Sequence, residues 1–223
     1  MLIDLSEIKT LWINLDSATK NAEDITEQCK KYNIKNHERY PAIKIDPNDE
    51  LCKSTHPHMK PYLAGCGLSH IACIEKSLNY GPTLVLEDDA CITHAYTSLL
   101  EVPDNCDAIY LGVSTGCPGY VSSRYNNNFL RIGRMLAAHA VIYVSERYKK
   151  AALEAAKHFV YDLHFPWDIS PSTIQENFLV LTPNLPYYIQ SDERESEHKW
   201  QFFTDKAIKD KGYKFYDNIP VLR

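Results

Sequence analysis

Glu87, Asp88 and Asp89 follow one another at the carboxyl end of the apolar run Thr83-Leu84-Val85-Leu86. Adjacent carboxylates repel, and beside a buried strand they must take up protons or gather a cation. Oxygen donors of this kind suit Mg²⁺ or Mn²⁺, and Mg²⁺ is commonly held by one or two carboxylates together with substrate phosphates. The cluster therefore reads as a docking point for a metal-bound phosphate ester such as a nucleotide. The competing reading is an exposed acidic turn capping a helix. Asn14 and Asp16 close a second apolar run, Leu11-Trp12-Ile13, at the strand end where α/β sheets bind ligands, so both are candidates for nucleotide contact. Cys52, His56, His58 and Cys66 imitate a zinc set, but the spacing fits no compact Cys₂His₂ pattern and Pro57 parts the histidines, which argues against it.

These groups need elements to hold them. Residues 11–15 read as a first strand, 24–32 as a helix, and 40–45 as a second strand. Residues 46–62, rich in Pro, His and charge, read as a loop or short irregular helix. In 65–78 the apolar Leu68, Ile71, Ile74 and Leu78 recur at helical spacing, and Tyr80-Gly81-Pro82 turns the chain into a strand at 83–86. Further strands are predicted at 108–112, 137–144 and 178–181, and a helix at 146–159. Residues 113–134, with Gly, Ser and successive asparagines, read as an exposed loop or hairpin that could reach a substrate. Strands alternating with helices imply an α/β sandwich around a mostly parallel central sheet flanked by helices.

Bulk properties narrow the classes. A chain of 223 residues is long enough for one sizeable core, and a single domain over 1–223 is expected. With 44% hydrophobic and 24% charged residues and a net charge of -5, neither a disordered chain nor a nucleic-acid binder driven by positive charge fits. The 15 tyrosines suit sugar and nucleotide surfaces, or equally half-buried strands. Seven cysteines without a Cys-x-x-Cys pair favour a reducing compartment. The first residues carry acids where a secretory leader is positive, and no apolar run reaches the ~18 residues of a membrane span, so a cytoplasmic protein is expected.

The order of segments carries a resemblance. Asn14-Leu15-Asp16, Gly65-Cys66-Gly67-Leu68-Ser69-His70, Leu86-Glu87-Asp88-Asp89-Ala90, Tyr110-Leu111-Gly112 and Ala140-Val141-Ile142-Tyr143-Val144-Ser145 follow one another as in glycosyltransferase family 25, which includes bacterial lipooligosaccharide β-galactosyltransferases and collagen galactosyltransferase domains. The chain resembles that family from about residue 10 to about residue 190. The resemblance implies a GT-A type, Rossmann-like nucleotide-sugar fold. It also implies a Mn²⁺- or Mg²⁺-dependent inverting transfer of a hexose, galactose in the first instance, from a UDP-sugar to a glycan or glycoprotein acceptor. On that analogy Asp89 is the metal ligand, Asp88 holds the ribose or the metal's water shell, and Glu87 orients them. Ser69 and His70 fall in a family segment at the donor site, though a helix cap and a core histidine explain them as well. Asp168, in Phe165-Pro166-Trp167-Asp168, is the candidate catalytic base, with an ordinary helix cap as its rival; Trp167 suits a sugar face or the core. Gln190, Asp192 and His198 fall where such enzymes carry a closing segment, so 191–223 is a candidate lid and His198 a candidate further metal ligand. One departure stands out. Family members follow Asn-Leu-Asp with arginines, whereas here Ser17-Ala18-Thr19-Lys20-Asn21 offers only Lys20 as a donor-binding cation. The rival functions are a glycosyltransferase-like binding module or partner subunit without turnover, and a nucleotidyl or phosphoryl transferase. The latter lacks a Gly-x-x-x-x-Gly-Lys-Ser/Thr segment.

Overall fold

A computed structural model describes residues 1–52, 60–112, 120–135, 138–164 and 167–190. In chain order these form β1 (Leu2–Asp4), β2 (Lys9–Asn14), α1 (Thr19–Lys31), β3 (His37–Pro41), α2 (Pro61–Ser77), β4 (Thr83–Glu87), β5 (Ala90–Ile92), β6 (Leu99–Glu101) and β7 (Ala108–Tyr110). They continue with β8 (Tyr120–Arg124), β9 (Phe129–Gly133), β10 (Ala140–Tyr143), α3 (Glu146–Lys157), α4 (Ile169–Ile174), β11 (Val180–Pro183) and β12 (Tyr188–Gln190). The main sheet has eight strands in the order β3-β2-β4-β10-β7-β11-β9-β8, while β1 pairs with β6 and β5 with β12 in two small ribbons.

Two apolar cores cover the two faces of the main sheet. Leu11, Ile13, Val85, Tyr110, Val141 and Tyr143 pack under Ile71 and Ile74 of α2 and Tyr148, Ala152 and Ala156 of α3. On the opposite face Trp12, Leu84, Leu86, Ile109 and Ile142 meet Ile25 and Cys29 of α1 and the apolar residues of β1 and β6. Strands buried on both faces read as continuous apolar runs, which is why residues 11–13 and 84–86 were legible as strands.

Six of the eight strands run in one direction, as expected, but β10 and β9 are reversed, so β10 pairs antiparallel with both β4 and β7. Parallel neighbours need a crossover, usually helical, and no helix lies between β7 and β10 among the described residues. The predicted second strand also shifts, from 40–45 to His37–Pro41, because its parallel register with β2 runs from Thr10↔His37 to Asn14↔Pro41. Helix α2 begins at Pro61 rather than at Gly65, with Pro at the first helical position and Lys60 extended before it. Of the predicted loop or hairpin at 113–134, residues 120–133 form β8 and β9 on the sheet edge opposite β2 and β3, and 113–119 lie outside the described residues.

Buried charge ties the carboxyl half together. Asp107 is 1% exposed. It accepts bonds from Arg147 Nε (2.7 Å), Ser145 Oγ (2.6 Å) and the Leu179 N–H (2.9 Å). Burial pushes its carboxyl up, but the bonds from Arg147, Ser145 and Leu179 outweigh it and hold the pKa below the ordinary value. A depressed carboxyl contributes stability that is present above its unfolded-state pKa and lost as pH falls through the folded-state value. Asp107→Ala is therefore expected to cost about 3 kcal/mol at neutral pH and to flatten the acid limb of stability. Urea midpoints measured from neutral to acidic pH check this; an unchanged neutral midpoint contradicts it. Lys149, 2% exposed, acts in the same way on the α2–β4 turn, donating to the carbonyls of Ser77, Tyr80 and Gly81.

No helix among the described residues is long and apolar enough to cross a membrane. Cys29, Cys52, Cys66, Cys73, Cys91 and Cys106 are free thiols.

Candidate functional site

Strand register places the acids. Ile13 of β2 lies opposite Glu87 of β4, so Asn14, one residue on, comes level with the Asp88-Asp89 turn. That turn is a corner where the chain leaves the main sheet for the β5–β12 ribbon, in which Gln190 lies opposite Ala90. Each aspartate consequently has an amide beside it. Asn14 Nδ2 donates to Asp88 Oδ2 at 2.6 Å, and Gln190 Nε2 donates to Asp89 Oδ2 at 3.2 Å.

Asn14, 2% exposed, is the centre of a longer chain of bonds. Its Nδ2 also donates to the Ala18 carbonyl (3.0 Å), while its Oδ1 accepts from Arg39 Nε (2.8 Å). With acceptors on one side and a guanidinium on the other, the amide has a single workable orientation. Arg39 further donates to the Asn14 carbonyl (3.1 Å) and pairs with Asp16 (2.5 Å).

On the α2 side of the acids, His70 Nε2 meets Glu87 Oε1 at 2.9 Å. The His70 ring stacks on Trp167 at 3.9 Å between centroids and 20° between planes. Its Nδ1 is buried with no hydrogen-bond partner among the described residues, and Nε2 makes the contact with Glu87. Cys66, one turn earlier on α2, has its Sγ 4.0 Å from the same Glu87 oxygen. This close approach depends on glycine. A Cβ at Gly67 would lie 2.8 Å from Val160 Cγ2 and 3.0 Å from Trp167 Cβ, and one at Gly65 would lie 2.4 Å from the Ile43 carbonyl oxygen.

These groups face a cavity of about 560 Å³ at the carboxyl ends of β2 and β4. Glu87, Asp88 and Asp89 form its acidic wall, and Ile43, Ile45, Pro47, Pro61 and Tyr62 an apolar one. A pocket with an apolar side and a few convergent polar groups is the usual form of a small-molecule site. Among the described lining residues, Lys44 is the one lysine or arginine.

Environment separates the carboxyls. Burial pushes Glu87 up, but the His70 bond, with the charges of His70 and His139, holds its pKa below the ordinary value. Asp168 is shifted the other way: burial and then the Glu87 charge raise it, against the pull of its own and the Ile169 N–H groups and His70. Carboxyls driven apart in this fashion are the arrangement from which acid and base roles are drawn.

No protein-family model matches the sequence, and no curated protein matches it. Among solved structures, the chain is similar to the crystal structure of a glycosyltransferase involved in the glycosylation of the major capsid of PBCV-1. The identity is 10% and the TM-score 0.35, with 86% of this chain and 98% of that chain covered. At that level of likeness no activity transfers from one protein to the other.

The structure thus brings Asn14, His70, Glu87, Asp88 and Asp89 onto one cavity, while Asp168 is not among the described lining residues and follows Trp167, which stacks on His70. Asp16 stands at the rim, its side chain 86% exposed and tied to Arg39. Ser69 is fully buried and spent on backbone, accepting from the Ile43 N–H (2.8 Å) and donating to the Gly65 carbonyl (2.7 Å). It pins the segment after β3 onto α2 while lining the cavity. Lys20 lies exposed in the first turn of α1 and is not among the described residues that line the cavity. Asp168 stands at the N-cap of α4, where its carboxyl feels its own and the Ile169 N–H groups without making a side-chain cap hydrogen bond. His198 and the candidate lid at 191–223 lie outside the described residues, as do His56 and His58. Arg39 is the site residue that sequence reading missed. The expected cation after Asp16 is supplied from the neighbouring strand, and only the β2–β3 register reveals it.

Proposed function

We propose that the chain is a GT-A type glycosyltransferase, similar to family 25, that moves a hexose from a UDP-sugar to a glycan or glycoprotein acceptor with inversion. Galactose is the donor sugar to test first. The observation that carries this reading is the cavity itself: an apolar wall sized for a base and sugar, facing three carboxylates at a strand end.

The donor set fits Mn²⁺ or Mg²⁺. Asp88 and Asp89 offer hard carboxylate oxygens, each oriented by a neutral amide that leaves the negative charge in place. In this reading Asp89 is the principal ligand and Asp88 assists it. A divalent cation bound there supplies the positive charge that stabilises the departing diphosphate. Arg39, through Asn14, fixes Asp88, and the apolar side chains of residues 43–47 with Tyr62 hold the base and exclude water. Asp168 takes the proton of the acceptor hydroxyl as that oxygen attacks the anomeric carbon, a role suited to a carboxylate whose pKa is raised by burial and the Glu87 charge. Glu87, held ionised by His70, keeps the wall negative and is not the base.

A thermal-shift series with UDP, GDP, CMP and UDP-galactose, each with and without Mn²⁺, tests the donor, because a ligand that binds the native state raises Tm by mass action. The expected result is a UDP shift that requires Mn²⁺. A shift with GDP alone overturns the UDP assignment. No shift with any nucleotide, or UDP binding indifferent to metal, overturns the metal-nucleotide site.

A further inference from the structure

We infer that Cys66, His70 and Glu87 form a second cation site, for a zinc-like transition metal, beside the oxygen-only pair Asp88 and Asp89. Cys66 and His70 are four residues apart on α2 and so share a face, and Glu87 meets them from the end of β4. One ligand atom from each lies within 4.8 Å of the others. His70 Nε2 and Glu87 Oε1 are 2.9 Å apart, and Cys66 Sγ is 4.0 Å from that oxygen. Four-coordinate zinc holds neighbouring S, N and O donors about 3.3–3.7 Å apart, so small side-chain adjustments close the set around an ion.

One supporting group is in place. Trp167 stacks on the His70 imidazole and so orients one of the two α2 ligands. Three protein ligands leave a fourth position, and Cys66, His70 and Glu87 all line the cavity, which gives the ion an entry path. Sulfur and imidazole separate the two sites chemically: thiolate and imidazole favour zinc-like ions, whereas Asp88 and Asp89 favour Mg²⁺ or Mn²⁺. On binding, the thiol proton leaves to solvent, and the neutral imidazole gives Nε2 to the metal and carries its proton on Nδ1. The site stands whether or not the chain transfers sugar. With both occupied, zinc engages Glu87 and crowds the acidic wall, so zinc is expected to inhibit any activity supported by Mn²⁺.

Cobalt titration of the reduced full-length protein reads the site directly, since a cobalt–thiolate bond gives a near-ultraviolet charge-transfer band. The expected result is a stoichiometric band displaced by Zn²⁺, abolished in Cys66→Ser and in Cys66→Ala, and kept in Cys52→Ser. Thermal melts of the apo variants establish that they fold. No band in the parent, or a band that survives in folded Cys66→Ser, overturns the inference. Either outcome is separate from the Mn²⁺-dependent UDP shift, so the two assignments fail independently.

Discussion

Asp168→Asn is expected to lower kcat for sugar transfer by about 10²–10⁴-fold, the usual contribution of a positioned general base, while metal-dependent UDP binding stays within about twofold of the parent. The same change should make the protein slightly more stable at neutral pH. Asp168 has a folded-state pKa above its ordinary value because burial and the Glu87 charge disfavour its ionised form. Such a group binds more protons folded than unfolded, so stability falls as pH rises from the unfolded to the folded pKa, and at neutral pH the ionised carboxyl is a net cost. Asparagine keeps the shape and removes that cost. Lost activity together with a raised or equal Tm is thus the signature of a strained catalytic carboxylate. A helix cap would show the opposite, a lowered Tm with activity retained. The parent's pH–rate profile should carry its acid limb above the ordinary aspartate range, because the base acts only when ionised.

Asp89→Ala is expected to abolish the Mn²⁺-dependent UDP shift and to reduce transfer by about 10³-fold or more, since the metal's stabilisation of a departing diphosphate amounts to several kcal/mol. Asp16→Ala is the matching control. Its carboxylate sits at the rim and pairs with Arg39 in solvent, where an ion pair contributes about 0–1 kcal/mol, so metal dependence should persist. Isothermal titration of Mn²⁺ in the presence of UDP separates the two variants. An Asp89→Ala protein that binds Mn²⁺ and UDP like the parent sinks the ligand assignment, and Asp88 would then be the residue to replace.

Much of the site was legible because its signals are local. An apolar run that ends in three acids is a strand delivering charge to its carboxyl end, and β4 does so with Glu87 as its last residue. Asn14 closing residues 11–13 obeys the same logic. The neighbours were less legible. Arg39 lies in a strand without clean alternation, His37-Glu38-Arg39-Tyr40-Pro41, and nothing within those residues points to Asn14, 25 positions away. The amide that orients Asp89 comes from Gln190, 101 positions downstream. Ser69 looked chemically available and is consumed by two backbone groups, one of them in a segment that left the sheet after β3.

The sequence alone determined where carboxylates meet apolar strands, that strands and helices alternate, and that the three acids after Leu86 and Asp168 beside Trp167 are candidates for chemistry. The strands, the helices and the acidic cluster rest on hydrophobic periodicity and on like charges placed side by side, which act over a few residues, whereas Asp168 rests on the resemblance to family 25. Tertiary structure decided which strand faces which, that β10 runs against its neighbours, and that Arg39 rather than Lys20 stands beside Asn14. Those outcomes come from sheet register and from the close approach of α2 permitted at Gly65 and Gly67, where backbone and side chains distant in the chain compete for the same few ångströms.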